Sequence, residues 1–84
     1  MLIVSDNFSI SIDSKTPIKR VVNVLKEQLP NINSFKLYCM NHLLLTIDDE
    51  NIFITFEANI DTNSFYDYIV PMNGVINLIT DSNS

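Results

Sequence analysis

Residues 17–29 constrain the fold more than any other segment, because they are the only stretch of the chain with a long helical pattern. Its apolar residues recur at helical spacing and form a single stripe, with polar residues opposite. Thr16 suits the N-cap and Pro17 suits the first helical position, while Pro30 disfavours helical geometry at Leu29. We therefore predict a thirteen-residue amphipathic helix over residues 17–29 that packs against a sheet. Its apolar stripe is Ile18, Val21, Val22, Leu25 and Leu29.

Strand patterns flank this helix on both sides. Met1–Val4 and Phe8–Ile12 predict a hairpin around Asp6-Asn7, in which Ile3 faces Ile10. After the helix we predict a strand over residues 35–40, a turn at Asn41-His42, and a second hairpin from strands 43–47 and 52–56. A turn-like segment over residues 65–68, a turn over 71–74 and a strand over 75–80 complete the chain. This order predicts an α+β fold, with one helix across a mixed sheet.

Length and charge narrow the function classes. With 84 residues we expect one domain over residues 1–80 and a polar tail over residues 81–84. The net charge is −5, and the largest basic cluster is Lys19-Arg20, so we expect neither nucleic acid nor an anionic membrane as partner. No signal segment and no apolar run of about 18 residues is seen, and one cysteine cannot form an internal disulfide, so the sequence favours a cytoplasmic protein.

The element order and several segments resemble the ubiquitin-like β-grasp family. FKLYCMNHLL is similar to the third strand and following turn of that family, and FYDYIVPMNGVINLI is similar to its last turn and strand. Two matches, TPIKRVVNVL and YDYIVPMNGVINLI, resemble the narrower YukD/EsaB group that accompanies type VII secretion systems of Gram-positive bacteria. The resemblance implies a non-enzymatic accessory protein without a cofactor, which contacts membrane or ATPase subunits of the secretion system.

The chain departs from these families in two places. Residues 46–61 look like an insertion that forms an extra hairpin in the middle of the fold. Ubiquitin-like modifiers and sulfur carriers end in Gly-Gly, whereas this chain ends Asp81-Ser82-Asn83-Ser84 and has Gly74 as its single glycine. We therefore expect no modifier or sulfur-carrier role. A eukaryotic or viral ubiquitin-like adaptor remains the main alternative.

No residue pattern favours catalysis or metal binding. Cys39 and His42 suit a nucleophile and its base, but strand alternation turns Cys39 inward, where burial makes a thiol inert. The acidic run 48–50 lacks the spaced ligands of a calcium loop. Asp67 suits a general acid or base, yet the resemblance implies that Asp67 and Tyr68 are structural, with the Tyr hydroxyl bonded to the main chain.

The most informative pattern is a set of apolar residues on the strand positions opposite the helix-facing ones. Such exposed apolar surface marks interaction sites, and tyrosine is enriched in binding hot spots. We predict a protein-binding surface there. Two alternatives stay open: residues 52–56 fold over this face, or the face mediates self-association. Separately, an edge strand near residues 52–56 could pair between two chains, so a homodimer is also open. The predicted surface comprises Leu2, Val4, Tyr38, Met40, Val75 and Ile79.

Overall fold

The computed structural model describes residues 1–69 and 74–80, which form an α+β domain with a mixed six-stranded sheet and two helices. In chain order the strands and helices are β1 (Leu2–Val4), β2 (Ser9–Ser11), α1 (Ile18–Gln28), β3 (Ser34–Cys39), β4 (His42–Asp48), β5 (Asn51–Ile54), α2 (Tyr66–Ile69) and β6 (Val75–Thr80).

The strands lie in the order β2-β1-β6-β3-β4-β5. The first and last strands of the chain, β1 and β6, are therefore central neighbours, and they pair in parallel. All other pairs are antiparallel. Because parallel neighbours need a crossover, the chain between them must leave the sheet and return.

The first hairpin forms as predicted. Ile3 pairs with Ile10, and the main-chain N–H of Ser5 donates to the carbonyl of Phe8 across the Asp6-Asn7 turn at 2.8 Å. Ile3 is fully buried, and the side chains of Phe8 and Ile10 pack against the core. Alternation in the sequence was sufficient here, because a slip of one residue in the second strand would move Phe8, Ile10 and Ile12 away from the core.

The helix begins one residue later and ends one residue earlier than predicted, with Leu29 as its C-cap residue. Pro17 has extended backbone angles and is the N-cap residue, and no side chain caps the helix, so Thr16 does not have the predicted role. The N–H groups of Ile18 and Lys19 instead donate to the carbonyls of Asn63 and Ile60, at 3.0 and 2.9 Å. The first N–H groups of any helix lack a partner within the helix, and these two bonds satisfy them. The acceptor carbonyls belong to a loop that is distant in sequence.

The core lies between α1 and one face of the sheet, which we call the inner face. The predicted inward residues of β3 and β6 are buried, as are the stripe residues Ile18, Val21, Val22 and Leu25. Phe65 is also fully buried, although the sequence indicated only a turn there. The buried apolar set is Ile3, Ile18, Val21, Val22, Leu25, Phe35, Leu37, Cys39, Leu44, Leu45, Ile47, Phe65, Ile76 and Leu78.

The turn between β3 and β4 falls one residue earlier than predicted. Met40 and Asn41 both have positive φ, 51° and 69°, and Cys39 pairs with His42. Met40 therefore belongs to a tight turn and not to a strand, which corrects its predicted placement on a sheet face. Just beyond the turn, Leu44 is the extra residue of a β-bulge, because Leu37 pairs with Leu45 and Tyr38 with Leu43.

The predicted second hairpin is present and consists of β4 and β5. Asp48 pairs with Asn51 across the Asp49-Glu50 turn, and β5 lies at the edge of the sheet. Residues 66–69 form the short helix α2. The predicted turn residues 71–73 and the tail 81–84 lie outside the described residues, whereas Gly74, the last residue of the predicted turn, has a positive φ of 65°.

Candidate protein-binding surface

The face of the sheet opposite α1, which we call the outer face, carries the predicted surface. Strand pairing places Leu2 beside Val75 on the two central strands, and Asn77 between Val4 and Tyr38. Ile79 lies beside Lys36 in the next row of the same face. Five of the six predicted residues therefore lie on three adjacent strands, β1, β6 and β3.

Apolar side chains are exposed on this face. Leu2, Val75 and Ile79 retain 41%, 40% and 55% of their accessible surface, while Val4 and Tyr38 are half-buried. Met40 is 62% exposed, but it projects from the turn at the end of β3. Exposed apolar residues that occur singly are ordinary, whereas neighbours on adjacent strands form one apolar patch of the kind that binds partners.

A shallow cavity of about 380 Å³ opens on the outer face beside this patch. Val4, Tyr38 and Ile79 line it, and polar groups complete its wall. A concave apolar site with a few polar groups can seat one side chain of a partner and orient it. The polar residues of its lining are Ser5, Asp6, Asn41 and Asn77.

Two outer-face residues were missed in the sequence. Asn77 lies between Val75 and Ile79 in the alternation of β6, so the strand pattern was enough to place it on this face. Phe53 is 57% exposed and pairs with Thr46, which pairs in turn with Lys36 of the outer face. The hairpin that contains Phe53 was predicted, but residues 52–56 are mostly apolar, so their pattern did not assign Phe53 to a face.

Residues 52–56 do not cover this surface. Residues 51–54 extend the sheet beside β4, so the alternative in which residues 52–56 fold over the outer face is wrong. Within residues 1–69 and 74–80, no segment crosses the patch formed by β1, β6 and β3.

The side chains that the sequence suggested for catalysis or metal binding are dispersed or buried. Cys39 is buried as predicted, and desolvation raises the pKa of its thiol, which disfavours the nucleophilic thiolate. His42, which pairs with Cys39 next to the β3–β4 turn, is exposed. The described parts of the chain contain no cluster of three metal-ligating side chains, and Asp48 accepts a long hydrogen bond, 3.4 Å, from Ser34.

Asp67 and Tyr68 take structural positions. The main-chain N–H of Ser64 donates to Asp67 Oδ2 at 3.5 Å, and the Tyr68 hydroxyl donates to the carbonyl of Glu57 at 2.9 Å. The ring of Tyr68 also packs on Phe56, with centroids 4.6 Å apart. The predicted bond from the Tyr hydroxyl to the main chain is therefore confirmed.

Comparisons with known proteins leave the family open. No protein-family model matches the sequence, and neither curated proteins nor solved structures give a match. What stands plainly is the class defined by the architecture, a small α+β domain with a mixed sheet. None of the helices in the described residues is long and apolar enough to span a membrane.

Proposed function

We propose that this protein is a non-enzymatic interaction module of the ubiquitin-like β-grasp class, which binds other proteins through its outer sheet face. The observation that carries the proposal is an apolar patch that no other segment of residues 1–69 and 74–80 covers, in which Leu2, Val75 and Ile79 are exposed beside the cavity lined by Tyr38. Burying such a patch against a partner removes apolar surface from water, which is favourable.

The strand arrangement supports the β-grasp part of the proposal. An N-terminal hairpin is followed by a helix, and the last strand returns to pair in parallel with β1 at the centre of the sheet. In this interpretation β5 is an addition to the fold, since it lies outside β4 at the edge. The remaining five strands keep the order of the ubiquitin-like sheet.

The chemistry of the face favours a protein over other ligand classes. The patch and its cavity combine aliphatic side chains, one half-buried tyrosine and a few polar groups, of which only Asp6 is acidic. A mainly apolar surface with few charges resembles the centre of protein interfaces. The only cation in the rows described above is Lys36, which is too little positive charge to bind a phosphate backbone.

The narrower assignment is a cytosolic accessory or regulatory role in a type VII secretion system. It rests on the similarity of TPIKRVVNVL and YDYIVPMNGVINLI to the YukD/EsaB group. On this proposal the partners are the ATPase or membrane subunits of the secretion apparatus, and the protein acts without a cofactor.

Affinity purification of the tagged chain from its own host, after detergent solubilisation, tests the proposal. Ile79→Asp places a charge in the exposed patch, and Asn23→Asp places the same charge on the exposed side of α1. We expect partners to be lost with Ile79→Asp and retained with Asn23→Asp. Because Ile79 is already 55% exposed, its replacement leaves the core intact, which circular dichroism would verify.

The identity of the recovered proteins separates the alternatives. Secretion ATPase or membrane subunits would support the accessory role, and ubiquitin-pathway or viral proteins would replace it with the adaptor role. Recovery of the chain alone would favour self-association, and equal recovery by both variants would contradict the outer-face site.

A further inference from the structure

The free edge of β5 displays hydrogen-bonding groups that no described residue satisfies. Asp48 and Asn51 form the pair that closes the second hairpin, and Thr55 N–H donates to the Leu44 carbonyl at 3.1 Å. Antiparallel pairs alternate between bonded and non-bonded. The main-chain groups of Asn51 and Phe53 therefore point at β4, and the N–H and C=O groups of Ile52 and Ile54 point away from the sheet.

This edge differs from the opposite one in its side chains. β5 presents Ile52 and Ile54, half-buried on the inner face, and Phe53, exposed on the outer face. At the other edge, β2 is a three-residue strand, and the main-chain groups that point away from the sheet there belong to two serines, Ser9 and Ser11. Natural edge strands are usually protected by charges, proline or bulges, and β5 carries none of these within Asn51–Ile54.

We propose that the β5 edge is a second protein-binding site, which takes an extended segment of a partner as an added antiparallel strand. Main-chain bonds to Ile52 and Ile54 would supply affinity, as in other cases of strand addition. Apolar residues at alternate positions of the incoming strand would extend the inner face beside Ile52 and Ile54. This site is separate from the outer-face patch on β1, β6 and β3, and its proof does not depend on that patch.

Charge determines which occupant suits the edge. Exposed acidic residues precede β5 at Asp48, Asp49 and Glu50, and exposed Glu57 follows it. Lys26 lines a small cavity with Asp49 and Glu50, but the one ion pair among the described residues joins Lys19 and Asp61 elsewhere. The edge is therefore negatively charged at both ends.

A second copy of this chain would bring like charges together. In a two-fold antiparallel pair centred on Phe53, Asn51 lies opposite Thr55, so the acidic turn of each copy approaches the end that carries Glu57 of the other. With a net charge of −5 per chain this arrangement is repelled. An antiparallel partner strand with basic residues at its C-terminal end would instead place them beside Asp49 and Glu50.

Selection from a random-sequence peptide display library tests the proposal. The library would be bound to the whole chain and depleted against Ile54→Pro, which removes an outward N–H and leaves the bonds to β4 in place. We expect the enriched peptides to alternate apolar residues and to end in lysine or arginine. A synthesised peptide from this pool should slow hydrogen exchange at the amides of Ile52 and Ile54.

Three variants then measure the contribution of the edge. Ile54→Pro should weaken the selected peptide by roughly tenfold, the equivalent of one or more lost main-chain bonds. Ser9→Pro, the matched change on the outward N–H of β2, should leave binding unchanged. Glu50→Lys alters charge without touching the edge main chain, and it should weaken a basic peptide by roughly fivefold.

The opposing results are equally specific. A selection that yields no peptide, or only acidic peptides, would overturn the proposal. A selected peptide that slows hydrogen exchange at amides other than those of Ile52 and Ile54 would overturn it as well. A dimer of the chain alone that Ile54→Pro dissociates would show that the occupant is a second copy, and would also overturn it. Ile79→Asp should leave peptide binding intact, so failure of this site and failure of the outer-face site are distinguishable.

Discussion

The hydroxyl of Tyr68 donates a 2.9 Å hydrogen bond to the main-chain carbonyl of Glu57. This bond joins α2 to the segment that follows β5, and the ring of Tyr68 packs on Phe56 beside it. One side chain thus connects the short helix α2 to the segment that follows the β4–β5 hairpin.

Replacing Tyr68 with phenylalanine removes this bond and keeps the aromatic contact. Because the bond is partly exposed, we expect the free energy of unfolding to fall by about 1 kcal/mol or less. Tyr66→Phe is the matched control, since its ring lies near Lys15 and no hydroxyl bond to a described residue is present. Urea titration of both variants measures the difference, and equal stability would show that the Tyr68 bond contributes nothing.

Met40 has a left-handed backbone conformation that suits asparagine better than methionine. Its φ of 51° lies in the left-handed region, where asparagine is tolerated better than an unbranched apolar residue. We expect Met40→Asn to raise the free energy of unfolding by about 0.5–1 kcal/mol. Met40→Leu keeps the strain and should give no gain in the same urea titration.

The same substitution also tests whether Met40 belongs to the binding surface. Met40→Asn removes an exposed apolar side chain without weakening the fold. If Met40 contacts the partner, recovery of that partner should fall despite the gain in stability. Unchanged recovery would confine the surface to the three strands.

Gly74 should be required for its backbone geometry and not for its small size. Its φ is 65°, and a Cβ there would lie 3.8 Å from Met1 Cα, an ordinary contact. We expect Gly74→Ala to lower the free energy of unfolding by about 1–2 kcal/mol through strain alone. Gly74→Asn should cost less in thermal and urea unfolding, and equal losses would indicate a packing effect instead.

The thiol of Cys39 should be inert in the folded protein. It is buried, and desolvation raises its pKa, so a thiol reagent should react only when the structure opens. A cysteine at exposed Ser11, in a Cys39→Ala background, should react at the rate of an unfolded chain. Fast modification of native Cys39 would contradict its burial.

The same pKa shift has a consequence for stability. A thiol whose folded pKa is raised stays protonated when the unfolded chain has begun to ionise, so its contribution is complete below the unfolded pKa and is lost as pH rises through the folded pKa. Stability should therefore decline on the alkaline side of the ordinary thiol pKa. Cys39→Ala should remove that part of the decline in urea titrations across this range.

Local patterns predicted the elements whose information lies within a few residues. The pairing of Ile3 with Ile10 followed from alternation around a turn, and the strand Val75–Thr80 was predicted with its observed bounds. Apolar spacing also identified the buried side of α1. Patterns failed where adjacent apolar residues made two alignments equivalent, as at Leu43 to Leu45, where a bulge places two successive leucines in the core.

The candidate surface was predicted in composition but not in shape. Strand alternation assigned Leu2, Val4, Tyr38, Val75 and Ile79 to one face, and pairing places them on adjacent strands. The cavity beside Tyr38 depends on the distance between the β1–β2 turn and the β3–β4 turn, which no local pattern contains. Met40 was assigned to a strand because methionine carries no turn signal, although it adopts a turn conformation.

The sequence by itself determined the buried side of α1 and of the strands with clear alternation, because periodicity and the cost of exposing apolar surface act over a few residues. Only the tertiary structure decided that β1 and β6 are neighbours and that the carbonyls of Ile60 and Asn63 complete the start of α1. These relationships join residues far apart in the chain, so they depend on how all the elements pack together and not on the pattern within any one of them.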